Sequence, residues 1–178
     1  MTILASNLQV RLSTAAGAAG DATASTPAGS LGKYISTSLL ADANLHNLFD
    51  AVTGAEAAAG MTDYRCLFVL NNHATETLLA TSIWIESQTP EGADVFIGLD
   101  PAGITPKGQA GAQAATIASE GAAPAGVTFS GPTSGGTALS VGDVPAGSCF
   151  AVWLRRRVAA GAKAMASDSL KLHVRGGS

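Results

Sequence analysis

Short apolar runs separated by turns rich in Gly and Pro make up most of this chain after residue 60. The run Tyr64–Leu70 is almost continuously apolar, which is typical of a strand buried on both faces. Cys149–Leu154 has the same character, whereas Leu170–Arg175 alternates apolar and polar residues and predicts a half-exposed strand. Shorter strands are predicted at 78–86, 94–98, 127–130 and 138–141. The pattern therefore predicts an all-β domain over residues 61–178, an antiparallel β-sandwich of Ig-like or jelly-roll-like type.

Residues 1–60 are predicted to form an extended N-terminal arm that adds short strands to this domain. Strands are expected at 8–12 and 34–40, on either side of a segment, residues 14–30, without any large apolar residue. A short helix is expected over Asp42–Val52, because Leu45, Leu48, Phe49 and Val52 recur at helical spacing.

The composition of residues 14–30, mainly Ala, Gly, Ser and Thr, is that of a flexible linker. Such a segment cannot build a core, so it becomes ordered only against another surface. That surface is either its own domain or a neighbouring subunit. We expect the neighbouring subunit, because extended backbone adds contact area without adding core.

The chain is long enough for one core, although only 5% of its 178 residues are aromatic. Its first residues lack the basic and apolar regions of a secretory signal, and no apolar run approaches the roughly 20 residues of a membrane span. We therefore expect a soluble protein made in the cytoplasm. In that compartment Cys66 and Cys149, both within apolar runs, are predicted to be reduced and buried rather than paired in a disulfide.

The net charge of −3 is unevenly distributed along the chain. Residues 42–143 contain most of the acids, whereas residues 144–178 contain six Lys and Arg against Asp168 alone. Two interpretations remain open: scattered solvated charge, or copies that pack acidic face to basic face. The acidic balance argues against general nucleic-acid binding.

Candidate catalytic or metal-binding groups are sparse. The three histidines, His46, His73 and His173, fall in the predicted helix, a turn and the exposed face of a strand, without zinc-ligand spacing. The chain has no Gly-x-Ser-x-Gly motif, and its Gly-rich stretches lack the Gly-Lys-Ser/Thr ending of a phosphate loop. The acids Glu86, Glu91, Asp94 and Asp100 match no calcium-loop pattern. We therefore expect no enzyme activity, no catalytic residue, no metal, no cofactor and no small-molecule substrate.

Arg155, Arg156 and Arg157 follow a predicted buried strand and form the only candidate site, an interface. Alternation places Arg156 on the side of Val152 and Leu154, with Arg155 and Arg157 on the opposite side. At least one guanidinium then needs a partner at the edge of the core. Internal pairing, an intersubunit salt bridge and contact with packaged DNA are the three alternatives, in that order.

Four stretches of the sequence carry a family resemblance: Tyr64–His73, Ala123–Ser130, Gly142–Gly147 and Val152–Gly161. They resemble virion structural proteins encoded among the head and tail genes of tailed phages and prophages. The resemblance spans roughly residues 48–176, and it departs from the family pattern at 159–162, where a turn containing proline is expected. It implies a virion component with an assembly role, and it supplies no site residues.

These observations predict a structural protein of a tailed-phage particle, a minor capsid or decoration protein located in the virion. Its expected partners are further copies of itself, as a homotrimer, and the major capsid protein, with no membrane partner. A tail or baseplate component is the alternative within the same class. A carbohydrate-binding adhesion module and a hydrolase are alternatives from other classes. The first of these requires an exposed aromatic platform, whereas Trp84 and Trp153 lie in apolar strands.

Overall fold

The computed structural model describes residues 3–165 and 167–177, which form two antiparallel sheets packed face to face. The strands are Leu8–Thr14 (β1), Tyr34–Leu39 (β2), Met61–Asn71 (β3), Leu78–Gln88 (β4), Asp94–Pro106 (β5), Leu139–Val144 (β6), Ser148–Val158 (β7) and Leu170–Gly177 (β8). One sheet has the order β2-β1-β3-β7-β5 and the other the order β6-β4-β8. A short helix, Gly54–Ala59 (α1), and two 3₁₀ turns, Ala5–Asn7 and Pro27–Gly29, complete the regular structure. The predicted β-sandwich is confirmed.

The inner core lies between the two sheets. The alternate residues Leu67 and Val69 of β3 and Val152 of β7 face the three-stranded sheet, because successive side chains of a strand point to opposite faces. Ile83 and Ile85 of β4 pack against them from the other side. All five are at most 3% exposed, and burial of each contributes about 1.5–3 kcal/mol.

The opposite face of the five-stranded sheet is also buried, beneath irregular chain. Phe68 and Trp153 project from this face and are fully buried. Residues 14–33 of the arm and residues 107–130 cover them, with Ala114 and Ile117 packed into the cluster. We call these two segments together the outer cover. It explains why β3 and β7 are almost continuously apolar, as a strand buried on both faces must be.

Hydrogen bonds anchor the arm to its own domain. The Ser30 hydroxyl donates to the Cys66 carbonyl at 2.6 Å, and the Cys66 amide donates to the Ser30 carbonyl at 2.9 Å. Gly32 lies so close to the sheet that a Cβ there would stand 2.9 Å from the Trp153 ring, and its φ of +94° favours glycine. The expectation that the arm becomes ordered against a neighbouring subunit is therefore wrong. Its surface is its own domain, and β1 and β2 join the sheet as the predicted arm strands.

The helix predicted over Asp42–Val52 is absent; the segment is irregular, and the helix of this region is α1. In residues 42–52, backbone carbonyl groups accept hydrogen bonds from arginine side chains instead of from helical amides. Arg65 donates to the Leu48 carbonyl and Arg156 to the Asp50 carbonyl. Leu48 and Phe49 pack against the inner core whereas Leu45 and Val52 are exposed, so the four residues do not form the single buried face of a helix. We call residues 40–52 the closing segment.

Other predictions agree with the structure or differ from it locally. Cys66 and Cys149 are free and buried, as expected. The predicted strand 127–130 is reduced to one bridge between Ser130 and Ile97. Strand β5 continues past its predicted end at Gly98 through an irregularity between Leu99 and Ile104. Polar anchoring by Asp100 explains that irregularity: its carboxylate accepts hydrogen bonds from the Ala102 and Ala115 amides.

Candidate functional site

Arg156 is the centre of a charged cluster at one end of the sandwich. It is 7% exposed and lies directly opposite Asp63 in the register between β7 and β3. Its Nε and one terminal nitrogen donate to the Asp63 carboxylate at 3.1 and 2.6 Å. Two further hydrogen bonds reach the carbonyl and carboxylate of Asp50 in the closing segment. The predicted need of one guanidinium for a partner at the core's edge is confirmed, and the partners are internal.

A second buried guanidinium belongs to Arg65, which lies two residues after Asp63 on β3 and on the same face of the sheet. It donates to the carbonyls of Leu48 and Tyr64, each at 3.2 Å, and forms a salt bridge with Glu120. The Phe49 ring packs against both arginines, with its centroid 5.7 Å from the Arg65 guanidinium carbon and 4.7 Å from that of Arg156. Cation–π attraction therefore adds to the hydrogen bonds that fix the closing segment.

The open edge of β3 explains how Glu120 reaches Arg65. Strand β1 pairs with β3 only from Leu67 onward, so the Tyr64 and Cys66 amides, which face this edge, have no strand partner. The Ser30 carbonyl accepts from Cys66, and the Glu120 carbonyl accepts from Tyr64 at 2.7 Å. The outer cover thus satisfies backbone groups that burial would otherwise leave unpaired, and it places the Glu120 carboxylate beside Arg65.

Burial dominates the electrostatics of Asp63. Desolvation raises the pKa of its carboxyl group, and the hydrogen bonds and charge of Arg156 oppose this effect without cancelling it. Asp63 and Arg156 therefore form a structural ion pair, in which each buried charge is compensated by the other. Removing one partner leaves an uncompensated charge near the core.

Arg155 and Arg157 project to the opposite side from Arg156, as alternation predicts. The Arg155 guanidinium carbon lies 4.4 Å from the Phe96 ring centroid and 5.2 Å from that of Phe129. Its Nε is buried and has no hydrogen-bond partner among the described residues. Arg157 is exposed. Of the three predicted interface residues, only Arg157 therefore presents its side chain fully to a neighbouring molecule.

The structure does not bring the three histidines together. His46 is exposed in the closing segment. His73 stabilises the turn between β3 and β4, where its Nδ1 accepts hydrogen bonds from the Thr75 and Glu76 amides at 3.1 and 2.9 Å. His173 stacks on Trp84 at 4.1 Å between ring centroids. Within the described ranges, no group of three or more His, Cys, Asp or Glu is arranged to hold a metal ion.

The two thiols are shielded from solvent. Burial raises the pKa of Cys149 to about 11 and raises that of Cys66 well above its usual value. Both groups are therefore protonated near neutral pH, and a thiol is a much weaker nucleophile than a thiolate.

Neither tryptophan forms an open platform. Trp153 is fully buried, and its indole N–H donates to Asp100 at 2.8 Å. Trp84 is 9% exposed beneath His173, with the Arg175 guanidinium carbon 5.7 Å from its ring. An adhesion module requires an exposed indole on which sugars stack, and neither Trp84 nor Trp153 offers one.

Two polar residues that sequence reasoning missed, Gln113 and Ser30, anchor the outer cover. The Gln113 side chain accepts from the Ile35 amide at 2.9 Å and donates to the Pro106 carbonyl at 2.7 Å. Both residues are fully buried in segments of linker-like composition. Nothing in that composition separates an anchoring Ser or Gln from a solvated one.

A groove of about 450 Å³ lies beside the closing segment, between the Pro27 turn of the arm and Glu120. Two acids of its lining, Asp50 and Glu120, are paired with Arg156 and Arg65, and of these two arginines Arg65 also lines the groove. The first ion pair joins the closing segment to β7, and the second joins the outer cover to β3.

No protein-family model, curated protein or solved structure matches this chain. In the described part of the chain, no helix has the length and apolar character needed to cross a bilayer.

Proposed function

We propose that this protein is a non-enzymatic structural component of a tailed-phage particle, a minor capsid or decoration protein that stabilises the shell through contacts between subunits. The observation that carries the proposal is the arrangement of the four stretches that resemble virion proteins. Two of them, Tyr64–His73 and Val152–Gly161, contain most of the paired lengths of β3 and β7. These strands occupy central positions in the five-stranded sheet.

The other two stretches pack beside that pair. In Ala123–Ser130, Val127 and Phe129 pack on the outer face of the sheet, and Gly142–Gly147 leads from β6 into β7. The resemblance therefore covers one contiguous framework rather than isolated turns. This contiguity supports a shared architecture with the virion proteins.

We assign two parts of the surface to neighbouring subunits: the closing segment and, on the opposite face of β7, the exposed side chain of Arg157. Leu45 is 71% exposed and Val52 37% exposed, although their neighbour Leu48 is buried. Arg65 and Arg156 hold the backbone of this segment from beneath. Apolar side chains on a fixed backbone form an interface at a small cost in conformational entropy.

The uneven charge of the chain is partly neutralised within each subunit. Arg156 pairs with Asp50 and Asp63, and Lys171 pairs with Glu86, so bases of the C-terminal region meet acids of the acidic region in one copy. We therefore propose that contacts in a homotrimer, and with the major capsid protein, depend mainly on the apolar closing segment.

Quantitative mass spectrometry of purified virions tests the proposal. We expect this protein in amounts close to those of the major capsid protein, and immunogold labelling spread over the shell. A handful of copies with label on the tail would contradict shell decoration and favour a tail or baseplate component. Absence from virions that contain their other structural proteins would contradict the whole proposal.

A further inference from the structure

We propose that the free edge of β8 binds an extended segment of a partner polypeptide, in which apolar and acidic residues alternate, as a fourth strand of the smaller sheet. The inference goes beyond the proposed virion role, because it concerns how the edge recognises a partner in any assembly.

Strand β8 has an unpaired edge. It pairs with β4 along one side, from Gly177 to Leu170, and among the described residues no backbone hydrogen bond joins its other side to the chain. On the free side of this eight-residue strand, the donors and acceptors of alternate residues point away from β4 and form a template for strand addition.

The larger sheet shows how this chain covers its edges elsewhere. The edge of β2 is covered by the arm, since the Asp21 amide donates to Ile35 and the Thr37 amide to Thr23. Ser130 exchanges two hydrogen bonds with Ile97 at the edge of β5. In the smaller sheet, the opposite edge strand β6 has six residues and contains Gly142, whose φ of +99° interrupts regular backbone. The edge of β8 is therefore the longest regular edge that the described chain leaves uncovered.

The inner core is incomplete beside β8. Leu170, Leu172 and Val174 face this core but are only partly buried, whereas Ile83 on the neighbouring strand is fully buried. At the end of β8, a groove of about 230 Å³ lies between its last residues and the N-terminal residues 3–8, where Leu4 is 62% exposed. An added strand with apolar residues at alternate positions would bury these side chains.

The solvent-facing side of β8 selects the charge of the partner. Lys171 and Arg175 are exposed on this side, and the salt bridge from Lys171 goes to Glu86 on β4, away from the free edge. The outward residues of an added strand would lie next to these two bases, where acidic side chains are favoured. Two copies of β8 paired antiparallel about His173 would instead place Lys171 opposite Arg175. This repulsion favours a different polypeptide over a second copy.

A labelled, end-blocked nine-residue peptide that alternates valine and glutamate is the probe for this edge. We expect it to bind the full chain with micromolar to millimolar affinity in fluorescence anisotropy, and to slow hydrogen exchange at residues 170–177. Two control peptides carry lysine in place of glutamate, or N-methyl groups on alternate amides. Both should bind about tenfold or more weakly, because one reverses the charge complementarity and the other removes backbone donors.

The double variant Lys171→Glu/Arg175→Glu should reverse the preference and bind the lysine peptide more tightly than the glutamate peptide. Lys163→Glu, in the exposed loop before β8, should leave the preference unchanged. Equal binding of all peptides, no binding at millimolar concentration, or unchanged exchange in β8 would overturn the inference. So would a dimer of the protein alone, detected by sedimentation and altered by the double variant, because the occupant would then be a second copy.

Discussion

The two faces of the five-stranded sheet are buried by different means. The inner face meets a second sheet, and large aliphatic side chains such as Ile83 and Val152 fill the space between them. The outer face meets irregular chain made mostly of small residues, with a few larger ones such as Ile117 and Phe129. This chain is held by the buried polar side chains of Ser30, Gln113 and Asp100. The inner face is therefore buried mainly by apolar side chains. The outer face is buried by backbone that lies close to Trp153, because hydrogen bonds satisfy the polar groups of that backbone.

This difference shows that a segment without large apolar residues can still be part of a core. Small side chains let the backbone approach the sheet, as Gly32 approaches Trp153, so the aromatic rings of the sheet supply the buried area. In return, every backbone N–H and C=O group that is buried in this way needs a hydrogen-bond partner. The cover should thus be sensitive to the loss of a single polar side chain.

The largest destabilisation is expected from Asp63→Ala on the inner face. It leaves the buried Arg156 with only the largely exposed Asp50 as a charged partner, and breaking a buried ion pair in this way costs about 3–5 kcal/mol. Urea unfolding followed by circular dichroism measures the change. Glu86→Ala, which breaks the exposed pair with Lys171, is the matched control and should have a much smaller effect. Equal effects of the two variants would show that the buried ion pair stabilises the fold no more than the exposed one.

On the outer face, Gln113→Ala should cost about 1–3 kcal/mol, because the Ile35 amide and the Pro106 carbonyl lose a buried partner. Gln109→Ala is the control, since that side chain bonds only to nearby carbonyls at the surface. The same urea titration compares both variants with the wild type. If the two glutamines prove equivalent, polar anchoring of the outer cover is not the source of its stability.

Limited proteolysis of a verified monomer compares the cover with the exposed loops. We expect elastase, which cleaves after small residues, to cut within 159–165 at least tenfold faster than within 14–33, because hydrogen-bonded segments open rarely. Mass spectrometry of early fragments locates the cuts. First cleavage within the arm would show that its docking on the domain is weak.

The smallest effect is expected from Leu45→Ser in the closing segment. This side chain is 71% exposed, so the free energy of unfolding of the isolated subunit should change by no more than about 0.5 kcal/mol. Leu48→Ser, three residues away and buried, is the contrasting variant and should destabilise strongly. Incorporation of Leu45→Ser protein into particles should fall if this residue contacts a neighbour, and normal incorporation would remove it from the proposed interface.

Strands with strong patterns were predictable from sequence, and segments fixed by distant partners were not. The apolar runs at 64–70 and 149–154 and the alternation at 170–175 all became strands, since their periodicity reflects burial on both faces or on one. The helix over 42–52 failed because Arg65 and Arg156, far away in sequence, bind the carbonyls of that segment.

The candidate site was predictable only in part. Alternation along β7 correctly separated Arg156 from Arg155 and Arg157. It could not identify Asp63 as the partner, because the pairing depends on the register between two strands more than 90 residues apart. The anchoring role of Gln113 was equally inaccessible, since nothing in its neighbouring sequence shows that residues 107–130 fold over the sheet.

The contact between Gly32 and Trp153 gives the protein a built-in optical probe. Trp153 is sealed beneath the arm with its indole bonded to Asp100, so its environment depends on whether the arm is in place. Departure of residues 14–33 would admit water to the ring and shift its emission to longer wavelength, while β3 and β7 remain paired. The second indole, Trp84, lies against His173 on the opposite sheet, so Trp84→Phe leaves Trp153 as the single indole, which can be excited selectively over the two tyrosines. Time-resolved emission of that variant would follow the outer cover above Trp153, in solution and without an attached dye.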